Sequence, residues 1–491
     1  MMGYQTINIP PNCLIKKTVR PVRPVMVRQT RRMVLTAAGA VGTIAIAGCV
    51  SEMIGDDDTE SVPNADDDAD GDVDDHDDDD EDDDDEEFGS ADDANDDSIE
   101  DADDDDDHVD DEEDTDTNED ENDLAHLPGT VIDDFEELNH WFAFIGQGTI
   151  EETSGDEYAG SHSARISADE ETDYAGVYRE FMEPVDLSEQ NISLAVKFTG
   201  RDLFDLTVQV LAPNSRNYLS HRRVLTGPAD RWTRVDLGAN YQETQPDLFD
   251  VREIRVIGRR RGGEEGPIEF AIDDLRAVDR PDTGKIVLLF DATLADHYDV
   301  AFPIMEEFGF PGVETVTPET VDRDGRLTLD QMREMDEAGW DMIARPRVGG
   351  QFMHEYDRDE QEGMVRRTQT YLLNRGFDDG ARHFFTPRNV IGPDGMDIVR
   401  EYHEQAFRFG GGLNGLPATD PHNLGHFSVD NLETTRSFVD LAATYRHLAV
   451  PRFERFGDDG IDEQVFRDLL EYLDGADVEI VSATELLERS A

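Results

Sequence analysis

Apolar positions along this 491-residue chain follow two rhythms, and the change between them marks a boundary just after Arg280. From Leu127 to Arg280, short runs alternate apolar with polar residues and are separated by Gly, Asn, Asp and Pro. Ser163 to Ile166, Ile192 to Phe198, Leu206 to Leu211, Thr233 to Leu237, Ile254 to Ile257 and Ile268 to Ile272 are examples. No helical stripe of useful length interrupts them, so residues 127–280 are predicted to form an all-β sandwich.

Beyond residue 283 the period changes. Lys285 to Phe290 reads as a continuous apolar strand, Val300 to Phe308 as a helix and Val313 to Val316 as a second strand. Leu327 to Ala338 (helix), Trp340 to Ile343 (strand), Asp359 to Arg375 (long amphipathic helix) and His383 to Phe385 (strand) repeat the unit. Ile398 to Gln405, Phe466 to Leu473 and Val478 to Val481 continue it. Such alternation predicts parallel strands with crossover helices, and function at the strands' C-terminal ends.

Charge adds a third region. The formal charge is −73, from 116 acidic and 43 basic residues. About 43 of the acidic side chains lie between Gly55 and Asp123, which has no Lys or Arg. That stretch has almost no apolar area to bury and repels itself, so Gly55 to Asn122, within a spacer over 50–126, is expected to be disordered. The remainder is also acidic, and beyond the spacer only Lys197 and Lys285 are lysines. Dense hydrated carboxylates with Arg replacing Lys imply adaptation to high salt. The same background leaves no basic face for nucleic acid.

Residues 1–49 read as an export signal. Arg31-Arg32 precedes an uncharged run from Val34 to Ala47, too short to span a bilayer, and Ile46-Ala47-Gly48-Cys49 follows. The arginine pair resembles a twin-arginine signal, and the last four residues resemble a lipobox with Cys49 as the lipidated residue. The resemblance implies a chain held by lipid at the extracellular face of the membrane. The signal is complete from Met26 onward. Cys13 and Cys49 are the two cysteines, so the folded region has no disulfide or thiolate metal site.

The sandwich opens with Val131-Ile132-Asp133-Asp134-Phe135 and closes with Ala271-Ile272-Asp273-Asp274-Leu275. This layout resembles the jelly-roll, galactose-binding-like carbohydrate-binding modules. The resemblance implies a structural calcium held by Asp134 and Asp274. Trp141, Tyr174, Tyr178, Tyr218 and Trp232 are the aromatic candidates for stacking on sugar, with core or rim packing as their ordinary role.

Ile286 to Asp291, Asp299 to Pro311, Leu327 to Met332, Ala338 to Met342 and Val478 to Leu487 together resemble the polysaccharide deacetylase (NodB-homology) domain. That resemblance implies a distorted (β/α) barrel over 283–491 that removes acetyl groups from glycans, with a divalent metal on an Asp-His-His set activating water. Its residues do not all carry over. Asp291 matches the general base, but Ala292 stands where the metal-binding Asp belongs, and Arg345 and Gly349 stand at the two histidine positions. Glu454 takes the place of the general-acid histidine, and would carry a proton only if burial raised its pKa. Trp340, Arg347, Pro387 and Arg388 are the residues expected at the substrate groove.

No catalytic metal is therefore expected. A guanidinium has replaced the metal's positive charge, and Arg345 is expected to form a bidentate pair with Asp291 at the barrel mouth. His297, His354, His422 and His426 are the residues from which a relocated metal site would be built. Two functions follow: a surface glycan-binding protein with a degenerate barrel, or a deacetylase in which Asp291 acts as base and Arg345 or Arg347 stabilises the oxyanion.

Overall fold

In the computed structural model the described residues are Leu124 and 127–200, 203–261, 265–457 and 460–490. Arg31, Arg32, Cys49 and the acidic spacer lie outside them.

Twelve strands form the first half: β1 (Thr130–Asp133), β2 (Trp141–Ala143), β3 (Thr149–Thr153), β4 (Ser163–Ala168), β5 (Tyr174–Val185) and β6 (Gln190–Phe198). They continue with β7 (Phe204–Asn214), β8 (Asn217–Leu225), β9 (Thr233–Leu237), β10 (Tyr241–Glu243), β11 (Val251–Arg260) and β12 (Ile268–Asp279). One sheet runs β3-β4-β12-β6-β9 with β1 also on β12, and the other runs β10-β8-β7-β11-β5-β2. Both are antiparallel. The alternation read in the sequence is what separates core from solvent: Val177, Val208 and Val256 sit side by side across β5, β7 and β11, all fully buried. Phe198 and Phe270 of one sheet pack on Phe204 of the other, with ring centroids 5.4 and 5.1 Å apart.

The second half is a closed barrel of seven parallel strands. After β13 (Gly284–Ile286), its staves are β14 (Leu289–Phe290), β15 (Val313–Val316), β16 (Asp341–Ala344), β17 (His383–Phe385), β18 (Gln405–Phe409) and β19 (Leu424–Ser428). Past β20 (Leu448–Ala449), β21 (Pro451–Phe453) closes the ring. The run Lys285–Phe290 is not one strand. Its first part, β13, leaves the barrel to sit between β20 and β22 (Val478–Ile480) in a small parallel sheet.

Helices α1 (Phe302–Phe308), α2 (Leu329–Glu337), α3 (Arg358–Leu373), α4 (Pro393–Tyr402), α5 (Leu432–Tyr445), α6 (Glu463–Asp474) and α7 (Ala483–Ser490) supply the crossovers. Local capping sets their starts. Thr328 with Gln331 and Asp357 with Glu360 form capping boxes for α2 and α3, and Asn431 and Asp462 cap α5 and α6. The expected helix start at Val300 is displaced, because His297–Ala301 forms a π-helical turn ahead of α1. None of the described helices is long and apolar enough to cross a membrane.

Between β18 and β19 there is no helix, and the sandwich covers the barrel there. Arg223 of β8 donates to Asn414 Oδ1 at 2.7 Å and to the Asn423 carbonyl at 2.7 Å. Gly425 makes room for it, since a Cβ at that position would lie 1.6 Å from Arg223 Nη1. Asp236 of β9 accepts from the Thr419 amide and hydroxyl at 2.8 and 2.7 Å. His447 accepts from the Ala239 amide at Nδ1 (3.1 Å) and meets Asn191 Oδ1 at Nε2 (2.9 Å). Those two bonds fix a neutral tautomer with the proton on Nε2. Polar groups are thus paired across a buried face, and the two halves are one packed body.

Candidate functional site

Asp291 directly follows β14 at the C-terminal mouth of the barrel and is fully buried. Its Oδ1 accepts from the Thr315 hydroxyl at 2.8 Å and lies 3.0 Å from Arg345 Nε. Its Oδ2 accepts from Arg452 Nη1 at 2.7 Å. Each oxygen therefore faces a different guanidinium. Arg345 thus pairs with Asp291 as the sequence predicts, sharing the carboxylate with Arg452, and its Nη1 also meets Thr317 Oγ1 at 3.1 Å. Burial alone would push the Asp291 carboxyl up, but Arg345, Arg452 and the Thr315 hydrogen bond outweigh it and hold it below the usual carboxylate range. The group is an ion-pair partner, ionised and with an arginine on each oxygen.

The backbone around it is pinned in unusual conformations. Ala292 and Thr293 have φ of 88° and 57°, a left-handed pair directly after Asp291. The Ala292 amide donates to Thr315 Oγ1 (3.0 Å), the Thr293 amide to Glu314 Oε1 (2.9 Å), and Thr293 Oγ1 to the Thr315 carbonyl (2.9 Å). Across the mouth, Arg388 and Asn389 have φ of 52° and 64°. Strained non-glycine pairs at two strand ends mark this rim as the specialised part of the fold.

Behind Asp291 lies a buried dyad. His297 Nδ1 is 2.7 Å from Glu314 Oε2 and Nε2 is 2.6 Å from the Glu454 carbonyl, so Nε2 carries a proton. Burial pulls the imidazole down, but Glu314 outweighs it and raises the His297 pKa. His297 is thus spoken for and does not reach Asp291. His426 does lie in its field: it is fully buried, 5.1 Å from the Phe385 ring and 5.8 Å from Phe409, and neither ring nitrogen has a hydrogen-bond partner among the described residues. Burial and the charge of Arg452 hold it neutral, well below the ordinary histidine value. His422 is turned away, with Nε2 2.7 Å from the His403 carbonyl.

The other expected site residues divide. Arg347 is exposed and Arg388 lies at the rim, its Nη1 donating to the Gly349 carbonyl at 3.3 Å and its guanidinium 5.1 Å from the Phe352 ring. Trp340 is corrected: it is 2% exposed, packed 4.7 Å from Phe290, and has no face to offer a sugar. Pro387 is likewise buried. Glu454 is not a buried acid; its side chain is 47% exposed and ion-paired with Arg452. Arg452, Thr315 and Glu314 were missed. Arg452 was legible in principle, because alternation along Pro451-Arg452-Phe453 points it away from the Phe453 side, which packs on Phe290.

The donors at the barrel mouth and in the sandwich do not fit a metal ion. At the barrel mouth, two guanidinium groups fill both oxygens of Asp291 and Ala292 and Gly349 offer no ligand atoms on their side chains. In the sandwich, Asp274 Oδ2 lies 2.5 Å from Arg234 Nη1 and 2.6 Å from Arg276 Nε, while Asp134 is exposed and accepts from the Glu136 amide at 3.3 Å. Asp274, expected as a calcium ligand, is thus an arginine-bridged carboxylate. No cluster of three or more His, Cys, Asp or Glu able to hold a metal occurs among the described residues.

The sandwich carries a different feature on the outer face of the β10-β8-β7-β11-β5-β2 sheet. The Tyr178 ring lies 5.6 Å from Phe142 and 5.4 Å from Phe144. Gly176 allows this, because a Cβ there would sit 2.3 Å from the Phe144 ring. Arg255 lies 5.7 Å over Phe144 and Arg259 5.3 Å over Tyr174. Phe142 is 50% exposed. Trp141 is core instead, stacked on Phe135 with Nε1 donating to Asp133 Oδ2 at 2.8 Å. Tyr218 is buried and Trp232 half-buried beside Tyr158.

No protein-family model matches the chain, and no curated protein matches it. Solved structures to which it is similar include a Streptococcus pyogenes deacetylase, PplD, in complex with acetate: 20% identity over 29% of this chain and 62% of that one, TM-score 0.27. Another is the Xyl-CE4 domain of a multidomain xylanase from the hindgut metagenome of Trinervitermes trinervoides, at 14% identity over 42% and 91%, TM-score 0.33. A third is a family 11 carbohydrate-binding module from Clostridium thermocellum in complex with a mixed-linked tetrasaccharide, at 14% identity over 31% and 96%, TM-score 0.25. The chain spans less than two thirds of the PplD chain. Scores of this size carry no argument about function, which rests on the chain's own side chains.

Proposed function

We propose that this protein is an exported, lipid-held glycan-binding protein of a high-salt cell surface, whose barrel keeps a deacetylase-like frame without deacetylase chemistry. The observation that carries the reading is the closed cluster of Asp291 with Arg345 and Arg452. A general base must accept a proton from water; a buried carboxylate with a guanidinium on each oxygen and a pKa held down lacks the basicity for it. The barrel instead stiffens the body on which the sandwich sits. Glycan contact falls to the aromatic and arginine face of Phe142, Phe144, Tyr174 and Tyr178, where flat rings and fork-shaped donors suit pyranose faces and hydroxyls.

One observation favours a second reading, metal-free acetyl hydrolysis: His426, without a hydrogen-bond partner among the described residues, lies in the field of Asp291. Against it, neither ring nitrogen of His426 is hydrogen-bonded to Asp291, whose oxygens both face arginines. Affinity electrophoresis of the full chain through immobilised polysaccharides separates binding from inertness. Retardation that Phe142→Ala and Tyr178→Ala abolish supports the proposal, and passage without retardation through every polysaccharide contradicts it.

A further inference from the structure

Beside Asp291 is a narrow cleft whose walls include Thr317, Thr320, Arg326, Arg345 and Arg347, and no Asp or Glu lines it. In a chain of net charge −73 a three-arginine cleft free of acid is an exception to the surrounding surface. The cleft has room for about one water molecule, far too little for a pyranose ring but suited to the tip of a charged substituent. Arg347 is exposed and makes no ion pair or hydrogen bond with a described residue, whereas Arg326 is anchored by its bond to the Ala292 carbonyl at 2.5 Å. Arg388, on the turn after β17, adds a fourth cation, its Nη1 donating to the Gly349 carbonyl of the cleft wall.

We propose that this cleft reads an anionic substituent, a carboxylate or sulfate, on the glycan that the sandwich holds. The inference rests on the glycan-binding reading and names its ligand class. The Thr317 hydroxyl and the Arg326 and Arg347 guanidinium groups supply donors, the Thr320 hydroxyl being spent on the Thr317 carbonyl at 2.8 Å, and the cluster with Asp291 holds Arg345 in place rather than leaving it mobile. Long-range repulsion from the acidic exterior opposes any polyanion at low salt. At about 1 M salt the Debye length falls to about 3 Å, so that repulsion is screened while contact-distance pairing persists.

The test titrates the full chain at about 1 M salt with polygalacturonate and dextran sulfate, with unsubstituted dextran as the neutral polymer and sodium sulfate alone as the free anion. The expected result is binding to a charged polymer about tenfold tighter than to dextran, the worth of one charge-assisted contact. Arg347→Gln should erase that preference with melting temperature unchanged, and Arg347→Lys should restore part of it. A preference that survives Arg347→Gln, or equal binding of charged and neutral polymer, overturns the cleft assignment alone. Saturation by sulfate as tightly as by polymer overturns the glycan assignment and makes the cleft an inorganic-anion site. Absence of binding to every polymer overturns this inference together with the reading beneath it.

Discussion

Arg452 Nη1 lies 2.7 Å from Asp291 Oδ2, with both side chains sealed from solvent. Arg345 approaches the other oxygen, so one carboxylate neutralises part of two buried cations. Replacing it should therefore cost folding rather than chemistry. Asp291→Asn is expected to destabilise the chain by about 3 kcal/mol or more, because it strands charges inside the barrel. Denaturant titration in high salt measures this, and a loss below about 1 kcal/mol would refute the cluster's structural role.

The sandwich and barrel are joined where Arg223 crosses into the space left by Gly425. Gly425→Ala is expected to destabilise by about 1 to 3 kcal/mol, since a Cβ there has no space while Arg223 is in place. In an Arg223→Ala background the same change should cost markedly less. Equal costs in both backgrounds, read from a double-mutant cycle of unfolding midpoints, would mean that the two residues do not share that space.

Acid should loosen the same junction. Burial pushes His221 down to about 4 and holds His447 well below the ordinary value, so both are neutral when folded. In the unfolded chain each takes a proton below about 6.5, and folding stability from this source is full above that pH and is lost as pH falls towards 4. Wild type is expected to lose more stability between pH 7 and 5 than His447→Gln, which has no proton to take up. A steeper loss in the variant would reverse the sign and contradict the neutral tautomer.

On the sandwich, Gly176 holds open the place where the Phe144 ring lies beside Tyr178. Gly176→Val is expected to displace that ring and weaken glycan binding about tenfold, while Arg165→Ala, on the other sheet, leaves binding unchanged. Binding isotherms with the polysaccharide that wild type retains are the readout.

The sandwich and the alternating barrel were legible because period-2 and period-3.6 patterns report which face is buried. Thr233–Leu237, Val313–Val316 and His383–Phe385 lie where alternation put them. That Ala292, Arg345 and Gly349 offer no side-chain metal ligand was visible as residue type. What was hidden depends on contacts distant in sequence. Arg452 meets Asp291 across 161 positions, and the reach of Arg223 to Asn423 spans 200. Trp340 looked like a groove residue by position along the strand, but Gly312 and Phe290 draw it into the core. Asp274 looked like a cation ligand by type, yet Arg234, forty residues away, had already neutralised it.

Acetate release from acetylated glycans by the full chain in high salt, with zinc, cobalt or manganese supplied, tests the central claim most directly. The account predicts no acetate above the buffer blank with any of the three metals, from a chain that still binds glycan. Sustained release by wild type, lost in a folded Asp291→Asn variant, would show that Asp291 acts as a base and would contradict it.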